Sequence, residues 1–148
     1  MALVNGGKEM ADALEDLKSS LRDIQEAITA WANKRQAYLD KADEIKVVYD
    51  RLKKDKGTVK GYKKSVKTFS NNNYDDFIGD NFEYKYKPTM TDLLTSYDTV
   101  IGNIDKNMDA LNEEILRYKN LASDCLGPLG TLGKAFHTIQ TEIENWAN

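Results

Sequence analysis

The sequence predicts an all-α protein, a long antiparallel two-helix hairpin that resembles a coiled coil. The prediction depends on two apolar stripes, each of which advances along the chain in alternating steps of four and three residues. Of their 30 positions, 29 are apolar or aromatic, and Arg35 is the exception. These positions, termed the seam, are Met10, Leu14, Leu17, Leu21, Ile24, Ile28, Trp31, Arg35, Tyr38, Ala42, Ile45, Tyr49 and Leu52, then Met90, Leu94, Tyr97, Ile101, Ile104, Met108, Leu111, Ile115, Tyr118, Ala122, Cys125, Leu129, Leu132, Phe136, Ile139, Ile143 and Trp146. A repeat of this length is typical of helices that pack along a narrow line, which leaves little room for a concave active site.

Length and composition favour a single helical-hairpin domain over residues 1–148. Hydrophobic residues make up 41% of the chain and charged residues 30%, and the sequence has two prolines, which permits long helices. The net charge of -3 gives no strong attraction for nucleic acid, and no stretch approaches the roughly 20 apolar residues that span a bilayer. Residues 1–10 lack the pattern of a signal peptide, so we expect a cytoplasmic protein or one exported without a cleavable signal.

The first helix is predicted from about residue 8 to residue 54. Residues 1–7 end in Asn-Gly-Gly, which predicts a short loose arm before the helix. Four acids lie in the early turns of the helix, and Lys53 and Lys54 lie at its end. This distribution of charge complements the helix dipole at both ends and supports the assignment.

Breaker residues predict the connection between the two helices. Gly57 and Gly61 weaken the helical pattern, and two alternatives stay open for residues 58–69: a second, shorter helix or a frayed continuation of the first. A Ser-Asn-Asn-Asn sequence follows and predicts a turn over residues 70–88.

The second helix is predicted over residues 89–146. Pro88 precedes it, and Thr89 with Asp92 three residues later has the arrangement of a capping box. Gly127-Pro128 interrupts the helical sequence, but the steps of four and three continue in phase on both sides of it. We therefore expect a kink or a short break between collinear helices at this point.

A second apolar line flanks the seam close to the predicted turn. Its members are Leu39, Val47, Val48, Leu93 and Val100. Folding the helices antiparallel would bring these residues to one end, so a wider core is expected there. A thin hairpin still buries little apolar area, and we expect some of its apolar surface to be covered by a partner in a dimer or a hetero-complex.

No pattern of catalytic or metal-binding residues occurs in the sequence. Cys125 is the only cysteine and His137 the only histidine, so the chain cannot supply a zinc ligand set of nitrogen and sulfur atoms. Cys125 occupies a seam position and is interpreted as a small buried hydrophobe, and His137 as a surface residue. The acids of the predicted turn lack the spacing of an EF-hand loop, which favours a solvated turn over a calcium site. We expect a protein that is not an enzyme and that has no cofactor or metal.

Two charged features have alternative explanations. Residues 51–67 carry eight basic residues and one acid, Asp55. This segment either pairs with acids across the turn or on a partner, or it binds phosphates or anionic lipid, and the lack of a nucleic-acid motif favours pairing. Arg35 either fixes the register and the choice of partner, or it lays its stem in the seam and extends its charge to solvent.

The connection between the helices carries an aromatic-x-Gly tripeptide, Phe77-Ile78-Gly79. It resembles the Trp-x-Gly turn of the WXG superfamily of type VII secretion proteins. Phe82, which follows the glycine, and the Tyr- and Ile-containing stretch 96–104 resemble the YwqH-like branch that is associated with LXG toxins of Gram-positive bacteria. Phe77 replaces the tryptophan of that superfamily, and none of the eight tyrosines has an Asp or Glu four residues later, which is its secretion signal.

The resemblance implies a small non-enzymatic helical hairpin that pairs with a sister hairpin or with the helical N-terminal domain of a toxin, as a homodimer or heterodimer. It also implies that export would require a partner that bears the secretion signal. We therefore expect a helical adaptor, a chaperone or a co-secreted partner of an LXG-type toxin, with a membrane-surface protein that uses residues 51–67 and a purely structural coiled coil as alternatives. The residues predicted to contact the partner are Trp31, Arg35, Phe82, Leu93, Val100 and Trp146.

Overall fold

The computed structural model describes residues 2–71 and 86–147, and the side chains of residues 7–71 and 86–146. Three helices account for this part of the chain: α1 (Ala2–Asn71), α2 (Lys87–Asp124) and α3 (Leu126–Ala147). This confirms the predicted all-α class for the described residues. Contacts group the chain into two compact units. The central unit comprises residues 43–116, and the terminal unit comprises residues 1–42 and 117–148.

Helix α1 is longer than the sequence predicts at both of its ends. It begins at Ala2, so a helix replaces the loose arm predicted over residues 1–7 from that residue onward. It passes through Gly57 and Gly61 without interruption and ends at Asn71. Of the two alternatives for residues 58–69, the continuation of the first helix is correct.

The continuation of α1 follows from the seam, which extends further than the apolar residues alone indicate. Between residues 43 and 71, the side chains that are not exposed keep the alternating steps of four and three. They are Ile45, Tyr49, Leu52, Lys56, Val59, Lys63, Val66 and Ser70. Packing of this face supplies the free energy that outweighs the roughly 1 kcal/mol that each glycine costs relative to alanine.

Two ion pairs join α1 to α2 in the central unit. Lys56 Nζ contacts Asp105, and Lys63 Nζ lies 2.5 Å from Asp98 Oδ1. Both lysines occupy positions of the extended seam, and each aspartate follows a seam residue of α2 by one position. The two pairs are seven residues apart on each helix, and residue numbers rise on α1 as they fall on α2.

We expect Gly57→Ala and Gly61→Ala each to raise the free energy of unfolding by about 0.5–1 kcal/mol, because alanine is the better helix former. Both glycines are exposed inside α1, and a Cβ atom at either position would meet nothing within 4 Å. Urea unfolding followed by circular dichroism at 222 nm checks the prediction. A loss of stability in either variant would show that the helix is not continuous through these residues in solution.

The start of α2 also differs by a small amount from the prediction. The helix begins at Lys87, two residues before the predicted position, so Pro88 lies in its first turn. Proline is tolerated there because the first amide groups of a helix have no partner within the helix. Thr89 is therefore part of the helix and not its N-terminal cap.

The predicted interruption near Gly127-Pro128 is present, and it lies at Cys125. Pro128 has no N–H group to donate to Asp124, and its ring collides with that carbonyl in a regular helix. α2 accordingly ends at Asp124. The backbone N–H of Cys125 donates to the Ala122 carbonyl at 3.2 Å, and a regular helical bond resumes from Leu129 N–H to the Cys125 carbonyl at 3.1 Å.

In the terminal unit, contacts between α1 and the later helical segments again occur in opposite order. The rings of Tyr38 and Tyr118 have centroids 6.2 Å apart and are tilted by 39°. Further along, Met10 and Trp146 line one shallow groove. Both pairs occupy seam positions, so the seam predicted from the sequence is the contact line of this unit.

The buried residues are few and mostly small. They are Ala42, Ala122 and Cys125, each 2% exposed, and Ile115, which is 5% exposed. The prediction of a wider core near the turn is wrong, because four members of the second apolar line are 41–58% exposed: Val47, Val48, Leu93 and Val100. Contact between two helices covers a narrow strip, and residues beside that strip stay in contact with solvent.

Candidate partner-binding surface

The partner-contact residues predicted from the sequence do not form one cluster. Two of them lie on α2 in the central unit, Leu93 and Val100. Three belong to the terminal unit, Trp31, Arg35 and Trp146. The sixth, Phe82, lies outside the described residues, as does the predicted turn motif Phe77-Ile78-Gly79.

An exposed row of large hydrophobic side chains runs along the central unit beside the seam. Its members on each helix are spaced by seven residues or a multiple of seven, and most precede a seam position by one. This row, termed the apolar flank, consists of Val48, Tyr62 and Phe69 on α1 and Tyr86, Leu93 and Val100 on α2. These side chains are 39–58% exposed. Since α1 and α2 contact each other in opposite order, positions that precede the seam lie on the same side of both helices.

The ion pairs fix which members of the apolar flank lie at the same level. Because Lys63 pairs with Asp98, Tyr62 on α1 lies close to the level of Val100 on α2. One heptad toward the end of α1, Phe69 lies close to the level of Leu93. One heptad in the other direction, the flank positions are Asp55 and Asn107, both exposed. The apolar part of the flank is therefore bounded by a polar level.

The opposite side of the same unit is charged. Four exposed lysines each follow a seam position of α1 by one residue, as Asp98 and Asp105 do on α2. This set, termed the charged flank, consists of Lys46, Lys53, Lys60, Lys67, Asp98 and Asp105. Lys46 Nζ donates a hydrogen bond of 3.0 Å to Asp50 Oδ1 on its own helix and lies 5.6 Å from the centroid of the Tyr49 ring.

The basic segment 51–67 is paired within the chain at two positions. Lys56 and Lys63 contact Asp105 and Asp98, which confirms for these two residues the prediction of internal pairing. Their partners lie on α2 and not in the predicted turn. The side chains of Lys56 and Lys63 are 25% and 34% exposed, so solvent screens both pairs and each contributes about 0–1 kcal/mol to stability.

Trp31 and Arg35 lie one turn apart on α1, and both are partly buried. Lys34 Nζ lies 4.9 Å from the centroid of the Trp31 ring. The Nε atom of Arg35 is buried and has no hydrogen-bond partner among the described residues. The register set by Tyr38 and Tyr118 places Arg35 near the level of Ala122, whose small side chain leaves space for the arginine stem.

Trp146 lies near the end of α3, where its side chain is 40% exposed. Met10, Glu142, Asn145 and Trp146 line a shallow groove in the terminal unit. Met10 is 56% exposed, so this end of the seam is open to solvent. The groove combines one aromatic and one thioether side chain with two polar ones, which is a composition suited to contact with another protein.

The two residues considered for chemistry are placed as the sequence predicts. Cys125 is buried, and its thiol donates a hydrogen bond of 3.4 Å to the Leu121 carbonyl oxygen. His137 is exposed. Among the described residues, no group of three His, Cys, Asp or Glu side chains is placed to hold a metal ion. Nor does any helix in residues 2–71 and 86–147 contain an apolar stretch that could cross a bilayer.

Comparison with known proteins gives no match to this chain, whether to family models, to curated proteins or to solved structures. The surface features of the two units are therefore the basis for a functional proposal.

Sequence analysis alone missed three members of the apolar flank, Tyr62, Phe69 and Tyr86. The signal was present, because the steps of four and three continue past Leu52 through Lys56 and Lys63. Lysine at a seam position hides this continuation from a search for apolar residues. Once these lysines are counted, Tyr62 and Phe69 fall one position before the seam.

Proposed function

We propose that this protein is an antiparallel helical hairpin that serves as an adaptor or chaperone for another helical protein. Its partner is the N-terminal helical domain of an LXG-type toxin of type VII secretion, or a sister hairpin protein. The protein remains in the cytoplasm or leaves the cell with that partner, without a cleavable signal peptide. It acts by helix-to-helix contact and catalyses no reaction.

The apolar flank of the central unit is the observation that carries the proposal. A row of exposed large hydrophobic side chains is costly in water, and extended apolar patches mark sites of protein association. Its spacing of seven residues matches the repeat of a packed helix, so a helical partner fits it better than a sheet or a loop. The groove at Met10 and Trp146 offers a second, smaller contact, because tryptophan often anchors an interface.

Co-expression with the products of neighbouring reading frames tests the proposal. We expect a stable complex with a helical protein, purified through a tag on that protein and confirmed by size-exclusion chromatography with light scattering. A chain that stays monomeric and co-purifies with none of these products would contradict the proposal. The matched control is an unrelated helical hairpin with the same tag, which removes contributions from the tag and from general hydrophobicity.

A second candidate function is binding to a membrane surface, and the charged flank favours it. Lys53, Lys60 and Lys67 are exposed and seven residues apart, so they present one row of positive charge. Such a row attracts anionic lipid by roughly 1 kcal/mol per residue near the surface. Flotation with vesicles that contain phosphatidylserine separates the two candidates, since membrane binding by these lysines would require anionic lipid and weaken as salt is added.

A further inference from the structure

We infer that the apolar flank is a docking groove for a single acidic amphipathic helix of another protein. This inference rests on the proposed function, and it adds the chemistry of the partner and the place where it binds. The groove is bordered by α1 and α2 of the central unit, and its levels are Phe69 with Leu93 and Tyr62 with Val100.

The two flanks of the central unit determine how many helices can dock. The apolar flank offers large hydrophobic side chains on both helices, whereas the charged flank offers lysines and aspartates at the matching positions. A helix that buries an apolar stripe gains free energy on the first side and would desolvate charges on the second. One helix therefore docks, and it docks beside Tyr62, Leu93 and Val100.

The levels of the groove specify the sequence pattern of the occupant. Two successive heptads of the occupant meet apolar levels, and the next heptad meets Asp55 and Asn107. A polar residue in an otherwise apolar seam fixes register, because only a partner residue that forms hydrogen bonds satisfies it. The occupant thus carries apolar residues seven positions apart, followed by asparagine or a similar residue one heptad further on.

Charge identifies the occupant as acidic. In the described part of this unit, α1 has eight basic residues and one acid over residues 51–67, and α2 has three aspartates and one lysine over residues 94–110. The end of the unit that carries the apolar flank is therefore positive and attracts an acidic helix.

The same charges oppose a second copy of this chain as the occupant. The basic segment 51–67 lies within the span of the apolar flank, which extends from Val48 to Phe69 on α1. Two copies joined by this flank would place their basic segments together, whichever way the second copy ran.

A lipid surface also fits this flank poorly. A membrane-binding helix combines an apolar face with basic residues on its border, and here Lys53, Lys60 and Lys67 lie on the opposite flank. A bilayer that took up Tyr62 and Val100 would be turned away from these lysines. The three possible occupants are therefore distinguished by the arrangement of charge around the flank.

Binding of a designed peptide to the full chain tests the inference. The probe is a fluorescent peptide of about four heptads with leucine and isoleucine in its seam, one central asparagine and glutamate on its outer faces. A second peptide has the same seam with lysine in place of glutamate. We expect the acidic peptide to bind in fluorescence anisotropy, to bind more weakly as salt is added, and to exceed the basic peptide in affinity by about tenfold or more.

Variants of the flank locate the binding site. The double variant Tyr62→Ser with Val100→Ser is expected to weaken binding of the acidic peptide by about tenfold or more. Val47→Ser is the matched control, because Val47 is 58% exposed on the same helix but lies outside the apolar flank, and we expect it to bind as the unchanged protein does. Circular dichroism and thermal unfolding of each variant confirm that the helices are intact.

Four results would overturn the inference. They are no binding of the acidic peptide, equal binding of the basic peptide, equal effects of the flank and Val47 variants, and self-association or vesicle flotation that the flank variant abolishes. Co-purification with a helical partner separates this inference from the proposed function. A complex that survives the flank variant would leave the proposed function standing and reject the docking groove, whereas the lack of any complex would reject the proposed function as well.

Discussion

The Ile115→Ala variant is expected to lose about 2–4 kcal/mol of unfolding free energy. Ile115 is 5% exposed, the lowest value among the large aliphatic side chains of the seam. Truncation to alanine removes three carbon atoms, and it adds the cost of a cavity because the surrounding helices relax only in part. This loss is a large fraction of the 5–15 kcal/mol that is typical of a folded protein. Urea unfolding followed by circular dichroism measures it.

Leu116→Ala is the matched control for the Ile115 variant. Leu116 is the next residue on the same helix, but it is 52% exposed and lies off the seam. We expect a change of no more than about 0.5 kcal/mol, since surface substitutions rarely have larger effects. Equal losses in the two variants would show that the seam is not the contact line of α2 in solution.

The second large effect is expected from Ala122→Leu, which fills the closest part of the terminal unit. Ala122 is 2% exposed, and Cys125, one turn later, is also 2% exposed. Small side chains at these positions permit close approach to α1, where Trp31 and Arg35 occupy the matching levels. A leucine adds three carbons to a filled space, and we expect a loss of about 1–3 kcal/mol in urea unfolding.

Ala37→Leu provides the control for this overpacking. Ala37 belongs to the same unit and is exposed on α1, so its side chain can grow into solvent. We expect its stability to stay within about 0.5 kcal/mol of the unchanged protein. If Ala122→Leu proved as stable as Ala37→Leu, the tight contact between α1 and the residues around Ala122 would be refuted.

The seam could be predicted from the sequence because one physical requirement determines it. Helices that contact along a line must repeat apolar residues in steps of four and three, and the shielded side chains of α1 and α2 follow those steps. The break near Pro128 was equally predictable in kind, because proline removes a backbone donor. Its position at Cys125 depends on the collision with the carbonyl of Asp124, which lies one turn before the proline.

The extent of α1 could not be predicted from local propensity. Gly57 and Gly61 lower helix stability, and a local argument ends the helix close to Lys54. What sustains the helix is contact with α2, including the ion pairs of Lys56 and Lys63. Such pairs depend on the register between distant segments, which a pattern within one segment does not contain.

The candidate site was predicted only in part for the same reason. Leu93 and Val100 are recognisable on α2 alone, but they become a groove only when the register adds Tyr62 and Phe69 from α1. Trp31, Arg35 and Trp146 were selected by residue type, and they belong to a different unit. Residue type identifies anchors, whereas the shared level of residues on two helices identifies a surface.

The enclosed thiol of Cys125 has a consequence for redox chemistry. It is the only sulfhydryl group of the chain, and it is shielded from solvent while its hydrogen bond engages the Leu121 carbonyl. Disulfide exchange and oxidation both require access to a thiolate, so an oxidising environment leaves the folded protein unaltered. Covalent cross-linking of two copies is confined to molecules in which the helices around this residue have opened.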